Sequence, residues 1–131
     1  MIEYYNPESV GDFTAAGLSS GTGTDTLVWA PGLAIDPNTL QRRADAVTIA
    51  DEVKVCFDNI EAVLAEAGLT LDDIVKTTCY IQDEEHRMEF IGAYKAAFGD
   101  GPYPARNTFA LGVASDCRVQ IEAIAVRPAG R

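Results

Sequence analysis

The sequence predicts an α+β fold in which two helices pack on one face of a single sheet. Apolar residues recur with helical spacing in two segments, at 45–67 and 83–99. Three further segments, at 73–82, 104–111 and 118–127, are rich in β-branched residues or alternate between apolar and polar residues. The chain has 131 residues, of which 47% are hydrophobic, and this length predicts one domain with a sizeable core, at residues 1–131.

The segment TLVWAPGLAID, at 26–36, predicts the first long strand. Pro31 and Gly32 interrupt its apolar run, so we expect a bulge or a bend there. The preceding segment GTGTDT, at 21–26, is glycine-rich but lacks the lysine and the strand–turn–helix context of a phosphate-binding loop. We therefore expect a hairpin turn at this position.

The first predicted helix, at 45–67, has a clear start and a clear end. Asp45 or Thr48 could cap its N-terminus, and Thr48 together with Asp51 matches the capping-box pattern. Gly68 follows the last apolar residue and predicts the end of the helix. The residues on its apolar face are Val53, Phe57, Ile60, Leu64 and Ala67.

The second predicted helix, at 83–99, follows the strand DIVKTTCYIQ at 73–82. Asp83 is its expected cap, and the acidic residues after it suit the positive end of the helix dipole. Gly99 predicts its end.

The last two strands predict where the charged side chains lie. In RVQIEAIAV the residues Arg118, Gln120 and Glu122 share one face, and small apolar residues share the other. In ARNTFAL, Phe109 and Leu111 fit the helix-covered face, while Arg106 and Thr108 point away from it. If these strands form an antiparallel hairpin that turns near Ala114, Arg106 lies about opposite Glu122, on the same face of the sheet.

The face without helices is too apolar to remain in water. Two helices can cover only one side of the sheet, and the other side carries Ile124 and Val126 beside the polar residues. A symmetric oligomer is the simplest way to cover it, with sites where subunits meet. Arg106 would then lie on a face that another subunit buries.

Composition excludes several classes of function. A net charge of −10 and a pI near 4.3 disfavour binding to nucleic acid or to anionic membranes. His86 is the only histidine, which excludes a Ser-His-Asp triad and a multi-histidine metal site. Three widely spaced cysteines, the lack of a signal-peptide pattern and the lack of a long apolar run predict a cytoplasmic protein with reduced thiols. The cysteines are Cys56, Cys79 and Cys117.

Four segments resemble the reactive intermediate deaminase family (RidA, also called YjgF-like): GLAIDPNT, NIEAVLAEAGLTLDDIVKTTCYIQD, YPARNTF and QIEAIAV. They occur in the family's order and spacing, between about residues 26 and 127. The resemblance implies a chorismate-mutase-like α+β fold with a mixed sheet. It also implies a homotrimer with its sites in clefts between subunits.

The resemblance also implies a reaction and its residues. Arg106 of the PAR string corresponds to the arginine that binds the substrate carboxylate, and Glu122 to the glutamate proposed to act on the attacking water. Backbone near Gly32 and Thr108 is expected to line the same cleft. The implied reaction is hydrolysis of an enamine or imine, such as 2-aminoacrylate, to a 2-keto acid and ammonia without a cofactor or metal.

Several positions depart from the family pattern, and each departure removes a polar group or a thiol from the expected cleft. Leu18 replaces a tyrosine, Pro31 a serine, Ile91 an asparagine and Thr108 a cysteine. These changes favour a larger or different substrate, such as 2-aminomuconate in a pathway-specific deaminase. Two alternatives remain: a non-catalytic trimer that binds a keto acid, and a purely structural salt bridge of Arg106 across the trimer interface, for which Glu122 is one candidate partner. The endoribonuclease activity ascribed to some relatives fits poorly with the acidic composition.

Overall fold

The computed structural model describes residues 1–129 and contains six strands and two α-helices. Single turns of 3₁₀-helix lie at Thr14–Ala16, Leu71–Asp73 and Glu84–His86. In chain order the main elements are β1 (Glu3–Tyr5), β2 (Gly21–Gly23), β3 (Leu27–Leu33), α1 (Ile49–Glu66), β4 (Ile74–Ile81), α2 (Arg87–Phe98), β5 (Ala105–Ala110) and β6 (Val119–Val126).

The strands form one mixed sheet in the order β1-β2-β3-β6-β4-β5. All neighbours are antiparallel except β4 and β5, which run parallel and are joined through α2. The short strands β1 and β2 have too few apolar residues to stand out in the sequence. The expected hairpin turn is present but shorter than predicted, since 21–23 is strand and the turn is closed by a hydrogen bond from Thr24 N to Leu27 O.

Both helices pack on one face of the sheet, as the sequence predicts. The side chains of α1 meet those of β3 and β6, and Phe57 of α1 contacts Tyr94 of α2 edge to face, with ring centroids 5.5 Å apart. The alternation in β6 is confirmed, because Val119, Ile121, Ala123 and Ala125 are all fully buried beneath the helices. The protein is therefore an α+β domain with a two-layer core.

The helix boundaries follow from local capping. Thr48 Oγ1 accepts a hydrogen bond from Asp51 N, and the Asp51 carboxylate accepts one from Thr48 N, so the predicted capping box is present. The alternative cap is wrong, because Asp45 binds the guanidinium of Arg43 instead. Gly68 takes a left-handed φ of 76° after the last turn of α1, a conformation that costs glycine little.

The second helical segment begins with a 3₁₀ turn at Glu84–His86 and continues as α2. Asp83 caps the turn by accepting a hydrogen bond from Glu85 N, as predicted. Gly99, with a φ of 61°, follows the last residue of α2. These signals lie within a few residues of the element that they terminate, and so they can be recognised in the sequence.

The predicted bulge at Pro31 and Gly32 is absent. β3 pairs with β6 without a register shift from Leu27 to Leu33. The carbonyl of Leu27 points toward β2, where it accepts a hydrogen bond from Thr24 N. Pro31 lies four residues later on the strand, so its backbone groups point to the same side as those of Leu27. The nitrogen of Pro31 therefore faces the β2 side, beyond the end of the β2 pairing at Trp29, and no bond to β6 is lost.

Gly32 is required by helix packing. A Cβ at this position would lie 2.3 Å from the carbonyl oxygen of Cys56 in α1. Only a residue without a side chain lets the helix backbone approach the strand this closely.

The predicted hairpin of the last two strands is wrong, because β4 lies between them. β5 pairs with β4, placing Arg106 beside Thr77, and β6 pairs with the other edge of β4, placing Glu122 beside Thr78. The connection through α2 returns β5 parallel to β4, as in other strand–helix–strand units. β6 then enters the sheet between β3 and β4.

A buried carboxylate fixes the start of β6. Glu52 of α1 is the one charged residue within 1–129 that is completely buried. It accepts hydrogen bonds from the backbone N and from Nε of Arg118, and the Arg42 guanidinium lies 3.8 Å away. A buried charge is tolerated when it is paired and hydrogen-bonded in this way. The contact ties β6 to α1 and so holds the strand that carries Glu122.

Within residues 1–129, neither helix is both long and apolar enough to cross a membrane.

Candidate functional site

Arg106 extends from the edge strand β5 over two aromatic rings of α2. Its guanidinium carbon lies 4.9 Å from the ring centroid of Tyr94 and 5.8 Å from that of Phe90. Its Nη1 donates a hydrogen bond of 2.9 Å to Thr108 Oγ1. Cation–π contacts of this geometry hold a guanidinium in one orientation without neutralising its charge.

The ring beneath the guanidinium is itself fixed. The hydroxyl groups of Tyr94 and Thr77 lie 2.7 Å apart in a hydrogen bond beneath the helices. Burial raises the pKa of Tyr94 above its ordinary value, so the phenol remains neutral at physiological pH. Because Thr77 pairs with Arg106 across β4 and β5, these residues form one polar column on the helix side of the sheet.

Arg106 has no carboxylate partner within residues 1–129. Among the arginines within residues 1–129, it alone lacks an acidic group within 4.0 Å, although the protein is strongly acidic. The ion pairs of the others are Arg42 and Arg118 with Glu52, Arg43 with Asp45, Arg87 with Glu84, and Arg127 with Glu3. Arg106 and Glu122 of one chain therefore form no salt bridge with each other.

Glu122 lies on the opposite, open face of the sheet. It is exposed, lies between Pro31 of β3 and Thr78 of β4, and accepts no hydrogen bond from the residues described. Together with Trp29 and Thr22 it borders a surface pocket of about 300 Å³. The carboxylate of Glu122 is therefore accessible to a ligand or a water molecule.

The expectation that Arg106 and Glu122 share one face is wrong. Their neighbours on β4 are Thr77 and Thr78, which are adjacent and so point to opposite sides of the sheet. The error arose at β5, where Phe109 faces the open side and stacks on Tyr80, with ring centroids 6.2 Å apart. Apolar residues do not identify the helix-covered face of β5. This strand is at the edge of the sheet, and its helix side carries the Arg106 guanidinium.

The other predicted site residues divide between the two sides. Thr108 accompanies Arg106, and Ile91 is half-buried on α2, the helix that supports it. Leu18 and Pro31 line a second pocket of about 120 Å³ on the side of Glu122. Gly32 is buried under α1, so the requirement for glycine comes from packing.

The sequence analysis did not identify the residues that hold Arg106. Thr77, Phe90 and Tyr94 are all buried and belong to elements that were predicted only as strand and helix. The spacing of Phe90 and Tyr94, four residues apart on one helix face, was the available signal for an aromatic pair. It could not show that an arginine from a later strand lies over it.

The open face carries large apolar side chains. Trp29, Phe109 and Leu111 are 36%, 49% and 48% exposed, and Ile124 and Val126 beside them are half-buried. This agrees with the prediction that the side without helices is too apolar for a free surface.

The cysteines are buried thiols without a role in the site. All three are free, and each of them is fully buried. Burial raises the pKa of Cys79 and of Cys117 to about 11, so these thiols are protonated at neutral pH. No group of three or more metal-ligating side chains occurs in the described part of the chain.

Comparison with known proteins agrees with the resemblance seen in the sequence. Over 124 residues the chain is 29% identical to 2-iminobutanoate/2-iminopropanoate deaminase of Escherichia coli, covering 92% of this chain and 91% of that protein. It is 30% identical over 123 residues to the RutC family protein PH0854 of Pyrococcus horikoshii, with coverage of 92% and 91%. The crystal structure of E. coli TdcF with bound serine matches with a TM-score of 0.73 at 26% identity, covering 93% of both chains. The model of the family described as Endoribonuclease L-PSP matches residues 11–127, and the chain therefore belongs to this family, the YjgF/RidA family that its motifs predicted.

Proposed function

We propose that the protein hydrolyses a carboxylate-bearing enamine or imine to a 2-keto acid and ammonia. The observation that carries this proposal is the unpaired guanidinium of Arg106, held over Tyr94 and Phe90 in a protein of net charge −10. An acidic chain has many carboxylates that could neutralise an arginine. One that is left positively charged and oriented by its neighbours is suited to bind an anion from outside.

Arg106 binds the substrate carboxylate through its remaining N–H groups. Thr108 accepts one hydrogen bond from Nη1, and this fixes the rotation of the guanidinium plane. A planar fork matches the two oxygens of a carboxylate in a bidentate pair. Binding the substrate at this end places its C=N carbon at a defined distance from the arginine.

Glu122 orients the water that attacks this carbon. The oxygen of water adds to the C=N carbon, and one proton of the water is transferred to nitrogen. The second proton moves from the new hydroxyl to nitrogen as the C–N bond breaks, so ammonia leaves and the carbonyl of the 2-keto acid forms. A carboxylate that has no partner among residues 1–129 can accept the hydrogen bond of the attacking water and relay its proton. The reaction needs no electron transfer and no cofactor, since positioning of the substrate and the water lowers the barrier.

A complete site requires two copies of the chain, because Arg106 and Glu122 lie on opposite faces of one sheet. We propose that the open face of one copy, with Glu122, Pro31 and Leu18, packs against the β5 edge of a neighbour, with Arg106 and Thr108. A homotrimer with three such clefts satisfies this arrangement, since a head-to-tail contact closes into a ring. The exposed Trp29, Phe109 and Leu111 supply the apolar area for the contact.

The test generates 2-aminoacrylate in situ with a serine dehydratase and follows keto-acid release with and without the protein. We expect acceleration that falls about 10- to 100-fold in Arg106→Ala, since a charge-assisted hydrogen-bonded pair is lost. Arg106→Lys keeps the charge but loses the fork and should recover only part of the rate. Arg43→Ala is the matched control, because Arg43 also forms an exposed ion pair, with Asp45, and lies outside the strands and the helix that carry Arg106, its aromatic support and Glu122.

A second candidate is a non-catalytic module that binds a keto acid. The apolar side chains of Leu18 and Pro31 beside Glu122 favour it, because they offer no polar group to the reacting nitrogen. Keto-acid binding that depends on Arg106, without acceleration of any enamine tested, would establish this module and exclude the hydrolase.

We also propose that the protein acts in the cytoplasm. Three free cysteines, all buried, occur without a disulfide. Thiols are maintained in this state in reducing compartments.

A further inference from the structure

A small pocket opens beside Glu122 on the open face and is not used by the proposed chemistry. Its volume is about 120 Å³, and its walls are mostly apolar, including Phe13, Leu18, Pro31 and Leu33. Three polar residues also line it, Ser20, Asn59 and Gln120. Mostly apolar walls with a few polar groups are typical of sites that bind small organic ligands.

Ser20 is the unusual member of this lining. It is 5% exposed, and its backbone N donates a hydrogen bond of 3.1 Å to Asn6 Oδ1, which fixes its position. Its Oγ is buried and has no hydrogen-bond partner among residues 1–129. Asn59, by contrast, donates from Nδ2 to the carbonyl of Leu33. A buried hydroxyl without a partner is costly to the fold, and such groups in native proteins call for a functional explanation.

The pocket is continuous with the place where the reaction is proposed. Pro31 borders both this pocket and the one that contains Glu122, and it pairs directly with Glu122 across β3 and β6. Gln120 lies two residues before Glu122 on the same face of β6. A substrate whose reacting carbon lies at Glu122 therefore has its side chain directed past Pro31 into the pocket.

We infer that this pocket selects the substrate side chain, and that it takes an aliphatic chain of about four non-hydrogen atoms with one hydrogen-bond acceptor for Ser20. This inference rests on the proposed function. An apolar cavity of about 150 Å³ holds benzene, so a pocket of about 120 Å³ fits a slightly smaller group. The Ser20 hydroxyl donates to the acceptor, and the apolar walls exclude water from the rest of the chain.

Binding of 2-keto acids, the products of the proposed reaction, tests the inference without requiring turnover. Calorimetry compares pyruvate, 2-oxohexanoate and 4-methoxy-2-oxobutanoate, of which the last two have side chains of equal size and differ by one oxygen. We expect the methoxy compound to bind at least about tenfold more tightly than pyruvate, from burial of its chain and its bond to Ser20. Ser20→Ala should reverse the order of the two longer compounds, since it removes the donor and leaves the ether oxygen unpaired.

A pair of matched variants separates the pocket from general effects. Val10 lines the pocket, and Val10→Phe should reduce the advantage of both longer compounds over pyruvate to about one. Val47 is 66% exposed and lies outside the pocket, so Val47→Phe should leave that advantage unchanged.

The outcomes distinguish this inference from the proposed function. If pyruvate and the longer compounds bind equally, the pocket does not select the side chain, even if imines are hydrolysed. The same conclusion follows if the longer compounds still bind more tightly than pyruvate in Val10→Phe. If Ser20→Ala does not change which of the two longer compounds binds more tightly, Ser20 binds only water. This result overturns the inferred hydrogen bond from Ser20 to an acceptor in the substrate side chain. Chain selectivity without hydrolysis of any imine supports the pocket and overturns the hydrolase instead.

Discussion

Mixing two inactive variants should restore activity, because each half of the proposed site comes from a different copy. The two variants to be mixed are Arg106→Ala, which retains Glu122, and Glu122→Gln, which retains Arg106. Neither substitution is expected to disturb packing, since both side chains are exposed and make no ion pair within residues 1–129. Each variant alone should be nearly inactive.

The magnitude follows from the opposite faces of the two residues. In an equimolar random mixture, half of the copies supply an intact Arg106 and half supply an intact Glu122. A cleft between neighbours contains both with a probability of about one quarter, so the mixture should recover about a quarter of the unmodified activity. If one chain supplied both Arg106 and Glu122 to a site, no site in this mixture would be intact, because each variant lacks one of the two residues.

The assay refolds the two variants together from denaturant and measures keto-acid release from an in situ imine. A complementary mixture of the unmodified chain with the Arg106→Ala, Glu122→Gln double variant serves as the control. It should also give about a quarter of the full rate if the site is shared, but about half if it lies within one chain. Zero recovery in the first mixture together with half in the second would refute the shared site.

Three further predictions concern stability and thiol chemistry. Gly32→Ala should lower the free energy of unfolding by about 2 kcal/mol in urea titrations, because its Cβ would meet the Cys56 carbonyl. Gly92→Ala, on the exposed surface of α2, should raise the free energy of unfolding by about 1 kcal/mol. Equal effects of the two substitutions would exclude the close contact at Gly32. Hydrogen bonds from Thr48 lower the pKa of Asp51 below that of an unfolded aspartate, so the stabilisation by its carboxylate is complete above the unfolded pKa and is lost as the pH falls through the lowered pKa. The stability difference between the unmodified protein and Asp51→Asn should therefore shrink in acid, and a constant difference would contradict the cap. At pH 7.5 a thiol reagent should label none of the three buried cysteines until the protein is denatured, and rapid labelling of the native protein would contradict their burial.

The sequence predicted the elements because their signals are local. Thr48, Asp51 and Gly68 lie within one turn of the ends of α1, and the alternating alanines of β6 are buried wherever that strand is placed under the helices. Capping and alternation are decided by neighbours a few residues away. The predicted ends of both helices, 67 and 99, and the buried face of β6 were therefore correct, whereas the predicted starts, 45 and 83, precede Ile49 and Arg87 by four residues.

The sequence could not predict the order of the strands or the face of Arg106. Which strands pair depends on contacts between distant residues, such as Arg118 with Glu52, and no local pattern marks this ion pair. On the edge strand β5 the usual rule fails, since Phe109 faces the open side while the charged Arg106 faces the aromatic rings of α2. The resemblance identified Arg106 and Glu122 as candidates, but only the strand order shows that they are on different sides.

The position of β6 also determines when the protein can fold during its synthesis. β6 is the last strand along the chain but lies between β3 and β4, which do not pair with each other. Until the ribosome has added residues 119–126, the sheet consists of two pieces without a common ladder. The sheet can therefore be completed only after these residues have been synthesised, and until then the nascent chain exposes two unpaired strand edges at which other chains can pair.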